Sequence, residues 1–138
     1  MKLYPLPLVP LLLLSCNSYN GNNSDKQVTL ILQPFNDFPK EKLVSVTKEL
    51  QRIFPDIKIK PAIPFPDNAY NSERNRYRAD SSIAYLSKKT APGTVTLGLT
   101  TKDISTTKGK HKDWGVMGLG YRPSKACMGF VNPAITIL

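Results

Sequence analysis

Hydrophobic and polar positions follow two different periods along this chain, and the switches between them mark its elements. Gln27-Val28-Thr29-Leu30-Ile31-Leu32 is apolar and β-branched, the composition of a buried strand. After a turn between Pro34 and Pro39, apolar residues fall at Leu43, Val46, Leu50, Ile53 and Phe54. Those spacings of three and four predict one face of a helix from Lys40 to Phe54, stopped by Pro55. Ile57-Lys58-Ile59-Lys60 alternates apolar and charged, the pattern of a half-exposed strand. Pro61, Pro64 and Pro66 stiffen the loop that follows. Asn71 or Ser72 is placed to cap a second helix from about Glu73 to Lys89, with Tyr77, Ile83, Ala84 and Leu86 on its buried side. Lys88 and Lys89 then suit the negative end of its dipole.

Pro92-Gly93 turns the chain into a third strand, Thr94-Val95-Thr96-Leu97-Gly98-Leu99. Thr100 to Asp113 is polar and lysine-rich, the composition of a surface loop. Trp114 to Tyr121 is a fourth extended segment, and Ala126 to Val131 a fifth. The order β-α-β-α-β-β-β predicts one α/β domain, a mixed sheet with two helices packed on it, over residues 27–131. Residues 132–138 are expected to be an irregular C-terminal end.

The first residues obey a different logic. Met1-Lys2 precedes an apolar stretch, Leu6 to Leu14, that is too short and too rich in proline to span a bilayer as a helix. Leu13-Leu14-Ser15-Cys16 resembles a bacterial lipobox, in which a small residue precedes a cysteine that is lipidated before cleavage. Residues 1–15 are thus expected to be a lipoprotein signal peptide and Cys16 the lipidated N-terminus, held in a membrane by its acyl chains. Asn17 to Ser24 is polar and aperiodic, so residues 16–26 are expected to be a flexible tether. The expected location is therefore the cell envelope. Asn17, rather than an aspartate, after the lipid cysteine favours the outer membrane over the inner one.

Charge and chemistry narrow the functions further. The chain carries a net charge of +9, or about +8 once Lys2 leaves with the leader. Such a surface attracts anionic membranes, acidic glycans or nucleic acid. The basic residues are dispersed and do not alternate with aromatics, which argues against nucleic acid. Cys127 has no intrachain partner if Cys16 carries lipid. His111, the single histidine, sits among Lys108, Lys110 and Lys112. One imidazole cannot build a three-histidine zinc site. Cys127 reads as a buried structural cysteine rather than a nucleophile served by His111. Asp80 is spaced to pair with Arg76 along the second helix. Gly115, Gly118 and Gly120 fail the spacing of a phosphate loop, since Pro123 stands where its last glycine belongs. They suit either a plain glycine-rich hairpin or an edge strand that lets another backbone lie alongside.

Ala69-Tyr70-Asn71 with Arg74, Arg76-Tyr77, Ala79-Asp80 and Leu86 precedes Leu97-Gly98-Leu99-Thr100 and Asp103-Ile104-Ser105. Asp113-Trp114-Gly115-Val116-Met117-Gly118-Leu119-Gly120-Tyr121 follows. Together these resemble the N-terminal half of archaemetzincin-type zinc metalloproteases of the metzincin clan, in their bacterial lipoprotein branch, over residues 27–127. The resemblance implies a twisted, mostly parallel sheet with one antiparallel edge strand formed by Gly115, Val116, Met117, Gly118, Leu119, Gly120 and Tyr121. In such proteases that strand pairs with the backbone of a peptide or protein substrate. It also implies Zn²⁺ in the complete family member, held by H-E-x-x-H-x-x-G-x-x-H, with the glutamate as general base.

That motif does not occur in this sequence, so no catalytic or metal-binding residue carries over. The expectation is a truncated metallopeptidase-like lipoprotein, inactive alone and without a cofactor of its own. The rival expectation is a non-catalytic, membrane-anchored module that binds a peptide or an anionic ligand such as a glycan.

Overall fold

The computed structural model describes residues 27–134. Its elements run β1 (Thr29–Pro34), α1 (Lys40–Leu50), β2 (Ile57–Ile59), β3 (Tyr70–Asn71), β4 (Arg76–Arg78), α2 (Ala79–Lys89), β5 (Thr94–Thr100), β6 (Ile104–Lys108), β7 (His111–Val116), β8 (Gly118–Gly120) and β9 (Ala126–Phe130), with a 3-10 turn at Asp67–Ala69. They form two sheets. The larger has the order β2-β1-β5-β9-β8, parallel throughout except for β8, which runs antiparallel to β9 at one end. The smaller has the order β3-β4-β6-β7. The α/β class and the mixed sheet with an antiparallel edge are as expected.

The larger sheet is wound in two directions. From β1 the chain passes through α1 to β2 on one side, then returns through α2 to β5 on the other. The helices therefore cover opposite faces. Successive strand residues alternate between them. Leu30, Leu32 and Leu99 pack with Phe38 and with Leu43, Val46 and Leu50 of α1. Phe35, Ala126 and Met128 pack with Ala79, Ile83 and Leu86 of α2 and with Ile104 of the smaller sheet. Burying a side chain such as Leu86 contributes about 1.5–3 kcal/mol. Gly98 lets this second core close. A Cβ there would stand 2.7 Å from Leu86 Cδ1 and 3.1 Å from Phe35 Cε2, and would overlap Met128 Sδ.

Several expectations are corrected. The second helix begins at Ala79, not Glu73, because residues 76–78 pair on one side with β3 and on the other with β6. Asn75, at φ 51°, makes the left-handed turn that this β3–β4 hairpin needs. Asn71 accepts the backbone N–H of Glu73 in that turn instead of capping a helix. Tyr77 is accordingly a strand residue stacked on Phe65, and Ala84 faces solvent. Helix α1 ends at Leu50, and Ile53 and Phe54 are exposed (72% and 39%) rather than part of its packed face.

The supposed loop from Thr100 to Asp113 is mostly the β6–β7 hairpin. Ile104, Ser105 and Thr106 are buried, while Lys108, Lys110 and Lys112 point to solvent and lend the segment its loop-like composition.

Candidate peptide-binding edge

The stretch expected to be one edge strand is divided between the sheets. Gly115 and Val116 end β7, Met117 stands at the break, Gly118, Leu119 and Gly120 form β8, and Tyr121 lies just beyond it. The reason is local. Val116 and Gly115 pair with Ile104 and Ser105, whereas Gly118 and Gly120 pair with Gly129 and Cys127. At the break Met117 is 69% exposed. A cleft of about 180 Å³ opens beside it, lined by Arg76, Asp103, Val116, Met117 and Phe130.

Both ends of β8 are held. The Phe130 N–H donates to the Met117 carbonyl at 2.8 Å. Beyond the other end, the Tyr121 hydroxyl donates to Asp80 Oδ1. Asp80 also receives Thr106 Oγ1 at 2.8 Å and pairs with Arg78 at 2.8 Å, not with Arg76 as the helical spacing suggested. Burial, reinforced by the bond to Asp80, raises the Tyr121 pKa above its ordinary value.

Between these anchors the strand is bare. Leu119 turns inward to the α2-side core, while Gly118 and Gly120 are exposed. A Cβ on Gly118 would only come into van der Waals contact with the Met128 carbonyl oxygen at 3.4 Å, and one on Gly120 with Cys127 Cβ at 3.4 Å. β8 is the last strand of its sheet, and no described strand pairs with its outer edge. Such an edge accepts an extended backbone by adding a strand.

Arg76 and Asp113 belong to a network that the sequence did not suggest. Asp113 accepts Ser105 Oγ at 2.5 Å and Asn71 Nδ2 at 3.5 Å, and it pairs with Arg76 at 3.3 Å. One carboxylate on β7 thus touches β6, β3 and β4. The Ser105 hydrogen bond, with help from Arg76, holds the Asp113 pKa below its ordinary value.

His111 is exposed, 5.4 Å from the Trp114 ring, and lies on a different sheet from Cys127. Cys127 is half-buried, and burial raises its thiol pKa. Ser82 is buried and donates to the carbonyl of Arg78, the last residue of β4 and the N-cap of α2. Among the described residues no three His, Cys, Asp or Glu side chains come together as metal ligands. They therefore do not fit the zinc site that the resemblance implies for the complete family member. Cys16, the leader and the tether lie outside the described residues, as do residues 135–138 of the C-terminal end.

No family model matches the chain, and no curated protein matches it. Solved structures do. Archaemetzincin from Archaeoglobus fulgidus, in complex with malonate, superposes with a TM-score of 0.58 at 23% identity, over 75% of this chain and 60% of that one. Archaemetzincin from Methanopyrus kandleri gives 0.60 at 19%, over 80% and 63%. A zinc-dependent peptidase from Methanocorpusculum labreanum gives 0.57 at 18%, over 73% and 62%. The fold is archaemetzincin-like. The chain spans slightly under two-thirds of each of these structures.

Proposed function

We propose that this protein is the substrate-holding part of a zinc-peptidase-type fold, displayed on the cell envelope by lipidated Cys16, in the outer rather than the inner membrane. The described domain would hold an extended peptide along β8. The observation that carries this reading is the antiparallel end strand with Gly118 and Gly120 exposed and both ends anchored. Hydrolysis is assigned to a zinc-binding part of such a fold, whose ligands are not among the described residues. On this reading the described domain alone cuts nothing.

A titration of the full chain with short extended peptides, followed through its backbone amide resonances, tests the proposal. Unmodified peptides should shift the amides of Gly118, Leu119 and Gly120. Peptides N-methylated at alternate residues, which cannot complete the ladder, should bind about tenfold more weakly or worse. Equal binding of both, or shifts confined to other elements, rejects strand addition.

The second reading, a non-catalytic module for an anionic ligand, is favoured by one feature. A cavity of about 430 Å³ is lined by Arg74, Lys110, His111 and Lys112, whose three fixed cations outnumber the Glu73 and Asp113 carboxylates on the same wall. Shifts there with a sulfated glycan, and none on β8 with peptides, would select it.

A further inference from the structure

We propose that the cavity where the chain leaves β1 and β5 is a binding site for an organic cation, a primary ammonium or guanidinium on a short apolar stem. The site is separate from the β8 edge and does not depend on the reading above.

Position is the first argument. In an open α/β sheet a crevice forms at the carboxyl ends of neighbouring strands whose connections leave in opposite directions. Here that place lies between β1, which continues towards β2, and β5, which continues away from it. A cavity of about 460 Å³ opens there, its lining including Asp37, Phe65, Asp67, Tyr70, Tyr77 and Lys102. This volume suits a small organic group.

The chemistry of the lining sets the sign of the ligand. Asp37 and Asp67 line this cavity against a single basic residue, whereas Glu73 and Asp113 in the 430 Å³ cavity are outnumbered by Arg74, Lys110 and Lys112. The Asp37 carboxylate is used unevenly. Its Oδ2 receives Thr100 Oγ1 at 2.8 Å, the Thr101 N–H at 2.7 Å and Thr101 Oγ1 at 2.9 Å, which clasps the exits of β1 and β5 together. Its Oδ1 is buried and has no hydrogen-bond partner among the described residues. Buried acceptors are almost always paired, and a carboxylate oxygen prefers a charged N–H donor.

Phe65, Tyr77 and Tyr70 form a ladder beside it, with ring centroids 4.0 and 5.1 Å apart. Phe65 is stacked between Phe35 and Tyr77 at 4.0 Å on each side, so the ring left to attract a cation and cover its stem is the half-exposed Tyr70 at the end of the ladder. An anion would meet two carboxylates. A bare metal ion would lack a third carboxylate, His or Cys ligand, since the described residues bring no such trio together. Lys102, the one basic residue of the lining, is then an internal competitor for the site.

The test is an amide-shift titration of the full chain with n-butylammonium and n-propylguanidinium, with 1-butanol and butyrate as neutral and anionic controls. The cations should give saturable shifts at Asp37, Tyr70 and Lys102, and the controls should not. Asp67→Asn and Tyr70→Leu should each weaken binding by about three- to tenfold, and Lys102→Ala should strengthen it. Asp37→Asn should abolish binding; the other variants carry the test if loss of the clasp unfolds this one.

A blocked Gly-Lys-Gly tripeptide that binds at least as tightly as n-butylammonium identifies a peptide side chain as the source. Binding of the free amine alone identifies a small metabolite. Linear, unsaturable shifts, equal shifts with 1-butanol, or no effect of Asp67→Asn and Tyr70→Leu would overturn the proposal. Because β8 reports on separate amides, failure here is distinguishable from failure of peptide binding there.

Discussion

The two faces of the larger sheet are built differently although the same strands supply both. On the α2 face, Ala79, Ser82, Ile83 and Leu86 of the helix are buried, and the smaller sheet adds Ile104. On the α1 face no helix residue is buried at all, and Val44 is 69% exposed. Leu43, Val46 and Leu50 cover Leu30, Leu32 and Leu99. Further along, towards β8, the same face carries Leu97, Cys127, Gly129 and Val131, all partly exposed. The smaller sheet closes one face and leaves the other to a single amphipathic helix. Stability is therefore concentrated on the α2 face, which also anchors the candidate edge through Leu119 and through Tyr121 on Asp80.

This asymmetry predicts unequal costs for the same truncation. Leu86→Ala should lose about 3 kcal/mol in urea unfolding, because its neighbours on both sheets cannot collapse into the cavity. Leu50→Ala, half-buried on the other face, should lose about 1 kcal/mol. Equal losses would mean that the α1 face is as well packed as the α2 face, and the contrast would fail.

A smaller effect comes from the pin of the smaller sheet. Because the Asp113 pKa lies lower in the folded chain than its ordinary value of 3.8, its ionised form stabilises the fold. That contribution is fully present above about pH 4 and fades as pH falls through the lowered folded value. Asp113→Asn should cost less than Leu86→Ala at neutral pH. The gap between wild type and variant should narrow in more acidic solution. A gap independent of pH would show that Asp113 acts through shape rather than charge.

How far the sequence revealed this arrangement depended on where each signal was stored. β1, β5, β9 and the start of α1 were visible because continuous apolar runs, or spacings of three and four, lie within a few residues of each other. β3, β4 and β6 were not. They are short and polar, and they exist through pairings such as Tyr77 with Ile104 and Arg76 with Asp113, some 27 and 37 residues apart.

The glycine edge was foreseen through likeness to a family, and its division at Met117 was not, because the two halves choose partners on different sheets. The Asp37 cavity had no local signature. Its walls come from residues 36–37, 64–67, 70, 77 and 102, and only the fold assembles them.

Cys127 gives the finest test of the contrast, since it sits on β9 opposite Gly120. Its thiol is half-buried with Sγ 3.8 Å from the Thr96 carbonyl oxygen, and burial alone raises its pKa above 9.0. In a Cys16→Ser chain it is the sole thiol. Its reaction with a disulfide reagent near pH 8 should be slower than in urea-unfolded chain, because less thiolate is present. The route of that reaction separates two pictures. If the α1 face is open near β8, the reagent reaches Cys127 in the folded state, and adding Leu86→Ala leaves the rate nearly unchanged. If the face is closed, labelling waits for unfolding, and a loss of about 3 kcal/mol raises the rate by about a hundredfold. The half-burial of Cys127 predicts the first outcome, and a hundredfold acceleration would erase the difference between the two faces.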